Sequence, residues 1–151
     1  MIQKLDICYE HYDSFNELNA ADRELIVEAE AATATANARY SNFRVGAAVR
    51  LRSGRTLHAS NFESEVYPAG LCAERSLLFY VEANYGDDPV EALAIASNPS
   101  ERECYPCGQC RQVIVDVERR QQSPIRVIMS GSGTATIVDS AEKLLPFTFK
   151  L

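Results

Sequence analysis

Apolar residues recur along this chain with two alternating periods, and the alternation outlines an architecture. Between Asn19 and Ala38, Leu25, Ile26, Ala29, Ala32, Thr33 and Ala36 return at helical spacing among good helix formers, which predicts a first helix. Turn chemistry in TyrSerAsnPhe ends it, and Arg44–Arg52 and Arg55–Phe62, joined by Ser53 and Gly54, predict a hairpin. Helical spacing resumes over Cys72–Asn84 through Leu77, Leu78 and Val81, and TyrGlyAspAspPro stops it. Ala92–Ser97 is a short, continuously apolar run suited to a strand covered on both faces. Cys107–Gln121 carries Val113, Ile114 and Val117 on one side and charges on the other, as an amphipathic helix does. Ile125–Met129 and Thr134–Val138 predict two more strands around GlySerGly, before a last helical turn at AlaGluLysLeuLeuPro. The order α, β, β, α, β, α, β, β predicts an α/β protein, a three-layer α/β/α sandwich around a five-stranded mixed sheet.

Composition narrows what such a fold can do. The 151 residues are 46% apolar and 24% charged, which predicts a single globular domain over 1–151 with a core of its own. A formal charge of −6 disfavours a grip on nucleic-acid backbone, where a surplus of Lys and Arg is needed, and points to a free small molecule as partner. No segment approaches the roughly 20 apolar residues of a membrane span, and Met1–Glu10 has charges where a signal peptide is apolar. A cytoplasmic protein with no membrane partner is expected.

Five cysteines, Cys8, Cys72, Cys104, Cys107 and Cys110, stand against only two histidines, so a metal site here would be sulfur-dominated and would favour zinc. Cys72 and Cys107 stand where helices begin, and unpaired N–H groups at a helix start stabilise thiolate. Cys107 and Cys110, three residues apart, share one face of a helical turn. Cys72 completes the set if the two helix starts face each other at the carboxyl ends of the strands. Three protein ligands leave a fourth position for water, whose pKa an open zinc site lowers to about 7. Glu74, two residues after Cys72, is placed to move protons, and Arg75 is placed to donate to thiolate sulfur and offset its charge.

The blocks TyrSerAsnPheArgValGlyAlaAla (40–48), AsnPheGlu (61–63), TyrProAlaGlyLeuCysAlaGluArg (67–75), ProCysGlyGlnCysArgGln (106–112) and LeuLeuProPhe (144–147) carry a resemblance. Over nearly its whole length the chain resembles the small homotetrameric cytidine deaminases, whose zinc signature is CysAlaGlu followed by ProCysXaaXaaCys. The resemblance implies hydrolytic removal of the 4-amino group from cytidine or deoxycytidine, zinc on Cys72, Cys107 and Cys110, and Glu74 as proton shuttle. It further implies that Asn61 and Glu63 bind the ribose 3′-hydroxyl, that Phe43 stacks on the pyrimidine, and that the Ala73 N–H meets a base carbonyl. Tyr67 and Phe149 would complete the pockets of neighbouring subunits in a homotetramer.

Departures from the family pattern leave alternatives. Ser64 and Glu65 replace the usual Asn and Ala; a carboxylate there would accept a sugar hydroxyl and repel a 5′-phosphate, favouring a nucleoside. Arg44 stands where proline is common, and Gln109 where a small residue is common. A modified pyrimidine nucleoside or a nucleoside antibiotic is an alternative substrate. Cys104 offers a fourth sulfur that would close the tetrahedron, making the site a structural clamp in a non-catalytic, zinc-stabilised module.

Overall fold

A computed structural model describes residues 1–151. The strands are β1 (Glu10–Tyr12), β2 (Arg44–Leu51), β3 (Thr56–Ser60), β4 (Val90–Asn98), β5 (Arg126–Gly131) and β6 (Thr134–Val138), and the helices are α1 (Ala20–Ala32), α2 (Ala73–Tyr85) and α3 (Gly108–Gln121). The strands form one sheet in the order β1-β6-β5-β4-β2-β3. Only β4 and β5 run parallel, joined through α3, and every other pairing is antiparallel. Helix α1 covers one face and α2 with α3 the other, so the predicted three layers are present. No helix is long and apolar enough to cross a membrane.

The alternation along β4 explains the layers. Ala92, Ala94 and Ala96 join the core under α1, while Leu93 and Ile95 join the core under α2 and α3. With Ala48 beside them, these small residues let α1 lie close to the sheet. Closest approach is at Gly46, where an added Cβ would stand 2.0 Å from the carbonyl oxygen of Ala29. Helix α1 buries Leu25, Ile26, Ala29 and Ala32, the predicted stripe, and Asn19 caps it by accepting from the Asp22 N–H at 2.8 Å.

Two expectations are corrected. The first helix does not run to Ala38: it ends at Ala32, and a 3-10 turn follows over Thr33–Thr35. Thr33 and Thr35 donate their hydroxyls back to Glu30 O at 2.7 Å and Ala32 O at 3.0 Å, local bonds that compete with the helical ladder. Asn37 then turns to the sheet side, its N–H donating to Asn61 O and its carbonyl accepting from Glu63 N–H. The sheet has six strands, not five, because β1 adds to the free edge of β6. Its anchor is ionic: Arg126 donates to Glu10 Oε1 at 2.8 Å and to Asp22 Oδ2 at 2.9 Å, tying β1 to β5 and α1. Asp22 is 1% exposed, so the pair is shielded from water. Element ends differ slightly elsewhere: β4 is longer than Ala92–Ser97, and the last turn, Ala141–Leu144, is 3-10.

Replacing Gly46 by Ala should destabilise the fold by roughly 1 to 3 kcal/mol, the usual cost of overpacking, as read from urea unfolding. Hydrogen bonding from Arg126 holds the Glu10 carboxyl at about 2, below its ordinary 4.5. A carboxyl depressed in the folded state stabilises it above the unfolded pKa and loses that contribution as pH falls through the folded one. The stability gap between the native chain and Glu10→Gln should therefore be full at pH 6 and narrow from about 4.5 toward 2.

Candidate functional site

Two helix starts build the site. Cys72 is the N-cap of α2 and Cys107 the N-cap of α3, and neither makes the side-chain capping bond that Ser, Thr, Asp or Asn would make there. The sulfurs are free for another use. Cys107 Sγ lies 3.8 Å from Cys72 Sγ and 3.4 Å from Cys110 Sγ, and all three sulfurs fall within 4.8 Å of one another. Tetrahedral zinc with Zn–S bonds of about 2.3 Å requires sulfurs about 3.8 Å apart. The trio therefore fits such an ion in both donor chemistry and spacing.

The approach to Cys72 is fixed by backbone. Phe62 and Leu71 exchange N–H···O bonds, both of 2.9 Å, so the segment before Cys72 is pinned beside the end of β3. Arg75 donates from Nη2 to Cys72 Sγ at 3.5 Å, and its Nε is buried without a partner. Hydrogen bonding from Cys110, then from Arg75, draws the Cys72 thiol down to about 5. The neighbouring Cys72, and burial after it, push the Cys110 thiol up. Burial raises the Glu74 carboxyl to about 7, and the charge of Cys72 pushes the same way. Glu74 is 3% exposed in the first turn of α2, next to the buried N–H of Ala73.

A cavity of about 570 Å³ opens over Cys72 and Arg75, walled by Tyr40, Ser41, Asn61, Glu63 and Tyr67. Asn61 accepts from the Val45 N–H at 2.8 Å and donates to Phe43 O at 3.1 Å, so its amide closes the open end of the hairpin. Glu63 accepts through Oε1 from the N–H groups of Tyr40 and Ser41 at 3.2 and 3.1 Å, bonds that lower its pKa. One amide hydrogen of Asn61 and Oε2 of Glu63 are left for another partner. Phe43 does not line this cavity; it lines a different depression, with Cys104, Ser97 and Tyr105, and is 41% exposed. Tyr67 is 88% exposed on the rim, and Phe149 lies away from this cavity, beside Gln112, Asp116 and Arg119 of α3. Glu65 is on the surface, 3.9 Å from Arg39.

Cys104 stands outside the sulfur trio. Its N–H donates to Ser130 O at 3.0 Å, its side chain packs on the core under α3, and burial pushes its thiol up to about 12. The cluster of sulfurs within 4.8 Å of one another holds Cys72, Cys107 and Cys110 and leaves Cys104 out, so the four-sulfur clamp has no support in this geometry. Tyr40 and Ser41 act through backbone N–H groups, which residue identity does not reveal. The signals that could point there are the turn chemistry of TyrSerAsnPhe and its place in the 40–48 block.

The chain is similar to known proteins. The family model for the cytidine and deoxycytidylate deaminase zinc-binding region matches residues 19–123. A cytidine deaminase from Sporosarcina psychrophila is 34% identical over 126 residues, 83% of this chain and 89% of that protein. One from Halalkalibacterium halodurans is 36% identical over 97 residues, 64% of this chain and 72% of that protein. The crystal structure of a cytidine deaminase from Burkholderia pseudomallei superposes with a TM-score of 0.75 at 34% identity, covering 87% of this chain and 100% of that one.

Cys104→Ser should leave zinc content, measured by atomic absorption, at the native level. Loss of the metal in that variant would instead make Cys104 a ligand.

Proposed function

The chain belongs to the cytidine and deoxycytidylate deaminase zinc-binding family, and from that premise we propose that it hydrolyses cytidine and deoxycytidine to uridine or deoxyuridine and ammonia. The observation that carries this reading is the burial of Glu74 beside three clustered thiols. A zinc ion held by Cys72, Cys107 and Cys110 would supply Lewis-acid activation of water.

The protein's own groups do the rest. In the overall reaction the C4–N bond breaks, a C4–O bond forms, and protons must reach first N3 and then the departing amine. Glu74, near 7, holds and releases a proton at neutral pH with little cost in either direction, the property a shuttle between these atoms needs. The Ala73 N–H at the start of α2 donates to the base carbonyl, and Phe43 offers its exposed ring for stacking. Asn61 and Glu63 take the ribose 3′-hydroxyl with the donor and acceptor that the fold leaves free.

Charge selects a nucleoside over a nucleotide. Arg75 is the only cation in the cavity wall and is already engaged by Cys72, while Glu63 lines the wall and Glu65 stands beyond the rim. A 5′-phosphate would meet carboxylates without a free cation to pair with. Four copies assemble in this reading, so that the exposed Tyr67 and Phe149, 88% and 69% accessible in one chain, are covered in the pockets of neighbours. Five free thiols suit a cytoplasmic setting, where they stay reduced.

Cytidine and uridine differ in ultraviolet absorbance, so zinc-loaded protein can be assayed directly on cytidine, deoxycytidine, their 5′-phosphates and cytosine. Turnover of the two nucleosides alone is expected. Glu74→Gln should retain its zinc and lose at least about a hundredfold in turnover, the scale of general acid–base loss. Near-native rates in that variant would remove Glu74 from the mechanism, and a zinc-bound native chain inert on every substrate would be a binding module.

A further inference from the structure

The loop over residues 99–107 delivers Cys107, yet it belongs to no helix or strand. Backbone contacts hold its course: Cys104 N–H donates to Ser130 O, and Gly131 lies so close that an added Cβ would stand 2.0 Å from Arg102 O. One side chain of the loop is driven inward to polar partners. The Glu103 side chain is 7% exposed; its Oε1 accepts from the Thr134 hydroxyl at 2.7 Å and its Oε2 from the Tyr105 hydroxyl at 2.9 Å.

A third contact reaches Glu103 from β1. His11 Nδ1 is 3.6 Å from Glu103 Oε1 and 2.9 Å from Thr136 Oγ1, its partner across the β1–β6 ladder. His11 Nε2 lies 3.4 Å from Asp13. Alternation along β1 puts Glu10 on the Arg126–Asp22 anchor and the next residue, His11, on the opposite face with Glu103. Strand β1 thus clamps both faces of the sheet edge, and it precedes residues 19–123, the span that the family model matches.

We infer that Glu103 is a positioning residue for the loop that carries Cys107, and that β1 acts on the metal centre through the His11–Glu103 contact. The inference rests on the zinc site proposed above. A buried carboxylate satisfied by Thr134 and Tyr105 allows the loop one course, and that course decides where the Cys107 sulfur meets those of Cys72 and Cys110. Partners that orient metal ligands from outside the coordination sphere commonly change metal affinity by about 10- to 100-fold.

The test is zinc affinity of the purified full chain by chelator competition, with melting of the zinc-stripped protein measured alongside. Glu103→Ala should weaken zinc about tenfold, and Glu103→Gln, which keeps an acceptor for Thr134, should recover most of that loss. The exposed Glu101→Ala in the same loop should stay within about twofold of native. His11→Ala should weaken zinc less than Glu103→Ala, and the double variant no more than Glu103→Ala alone, because both act through one contact. If Glu103→Ala yields no folded protein, Thr134→Val removes the 2.7 Å donor to Glu103, together with that hydroxyl's 3.1 Å contact to Gly131 O, and carries the same expectation. Native-like zinc affinity in these variants, with only the melting temperature lowered, overturns the inference and leaves the zinc site standing. Additive losses overturn the part played by His11. A native chain with no affinity for zinc overturns the site itself, and this inference with it.

Discussion

Three sulfurs within 4.8 Å of one another impose the constraint from which the rest of the site follows. Two unit charges about 4 Å apart repel by about 4 kcal/mol at an effective dielectric of about 20, so thiolates this close need a cation among them. The fold concentrates positive potential there by aiming the N-termini of α2 and α3 at one point, each opened by a cysteine. Arg75 adds a guanidinium to the sulfur of Cys72. Glu74 lies next to this concentration of charge but is buried, and burial raises its carboxyl while Cys72 pushes it the same way. One spacing therefore explains the missing caps, the direction of Arg75 and the unusual proton affinity of Glu74.

Such a spacing survives only if both helix starts are fixed to a fraction of an ångström, and the sheet supplies that precision. Strand β4 is covered on both faces, with alanines toward α1 and larger side chains toward α2 and α3. Its carboxyl end feeds the loop to Cys107, while the end of β3 runs on to the Phe62–Leu71 pairing that pins the approach to Cys72. Close backbone contact at Gly46 and Gly131 leaves neither α1 nor the 99–107 loop room to slide. The cysteines are thus presented at helix starts held in place by the sheet and by these close backbone contacts, which is what a metal centre of defined geometry needs.

What could be read from the residues follows from how local each signal is. Helices α2 and α3 and the buried strand β4 were legible because their periodicity is written within a dozen consecutive positions. The sulfur trio was legible because Cys107 and Cys110 are three residues apart on a helix start and Cys72 opens another. Strand β1 was not, since three residues carry no period and its anchors are Asp22 and Arg126, the latter 116 positions away from Glu10. The early end of α1 was hidden for a related reason: Thr33 and Thr35 fit a helix by spacing, but their hydroxyls and the pull of Asn37 toward Asn61 decide otherwise. The cavity wall at Tyr40 and Ser41 works through main-chain N–H groups, which every residue but proline possesses.

Charge accounting then links the site to its substrate. Three thiolates around a dication leave one negative charge, and Arg75 returns the balance to zero. Glu74, when protonated, adds nothing, and when ionised adds a single charge in a place where water cannot screen it. In the proposed reading a neutral pyrimidine nucleoside would enter such a pocket without upsetting this balance, whereas a nucleotide would bring charges that no free cation in the wall could meet. Burial also brings the carboxyl of Glu74 up to about 7. In the proposed reaction proton movement would fall to Glu74, with the surrounding sulfurs and guanidinium setting the potential around it.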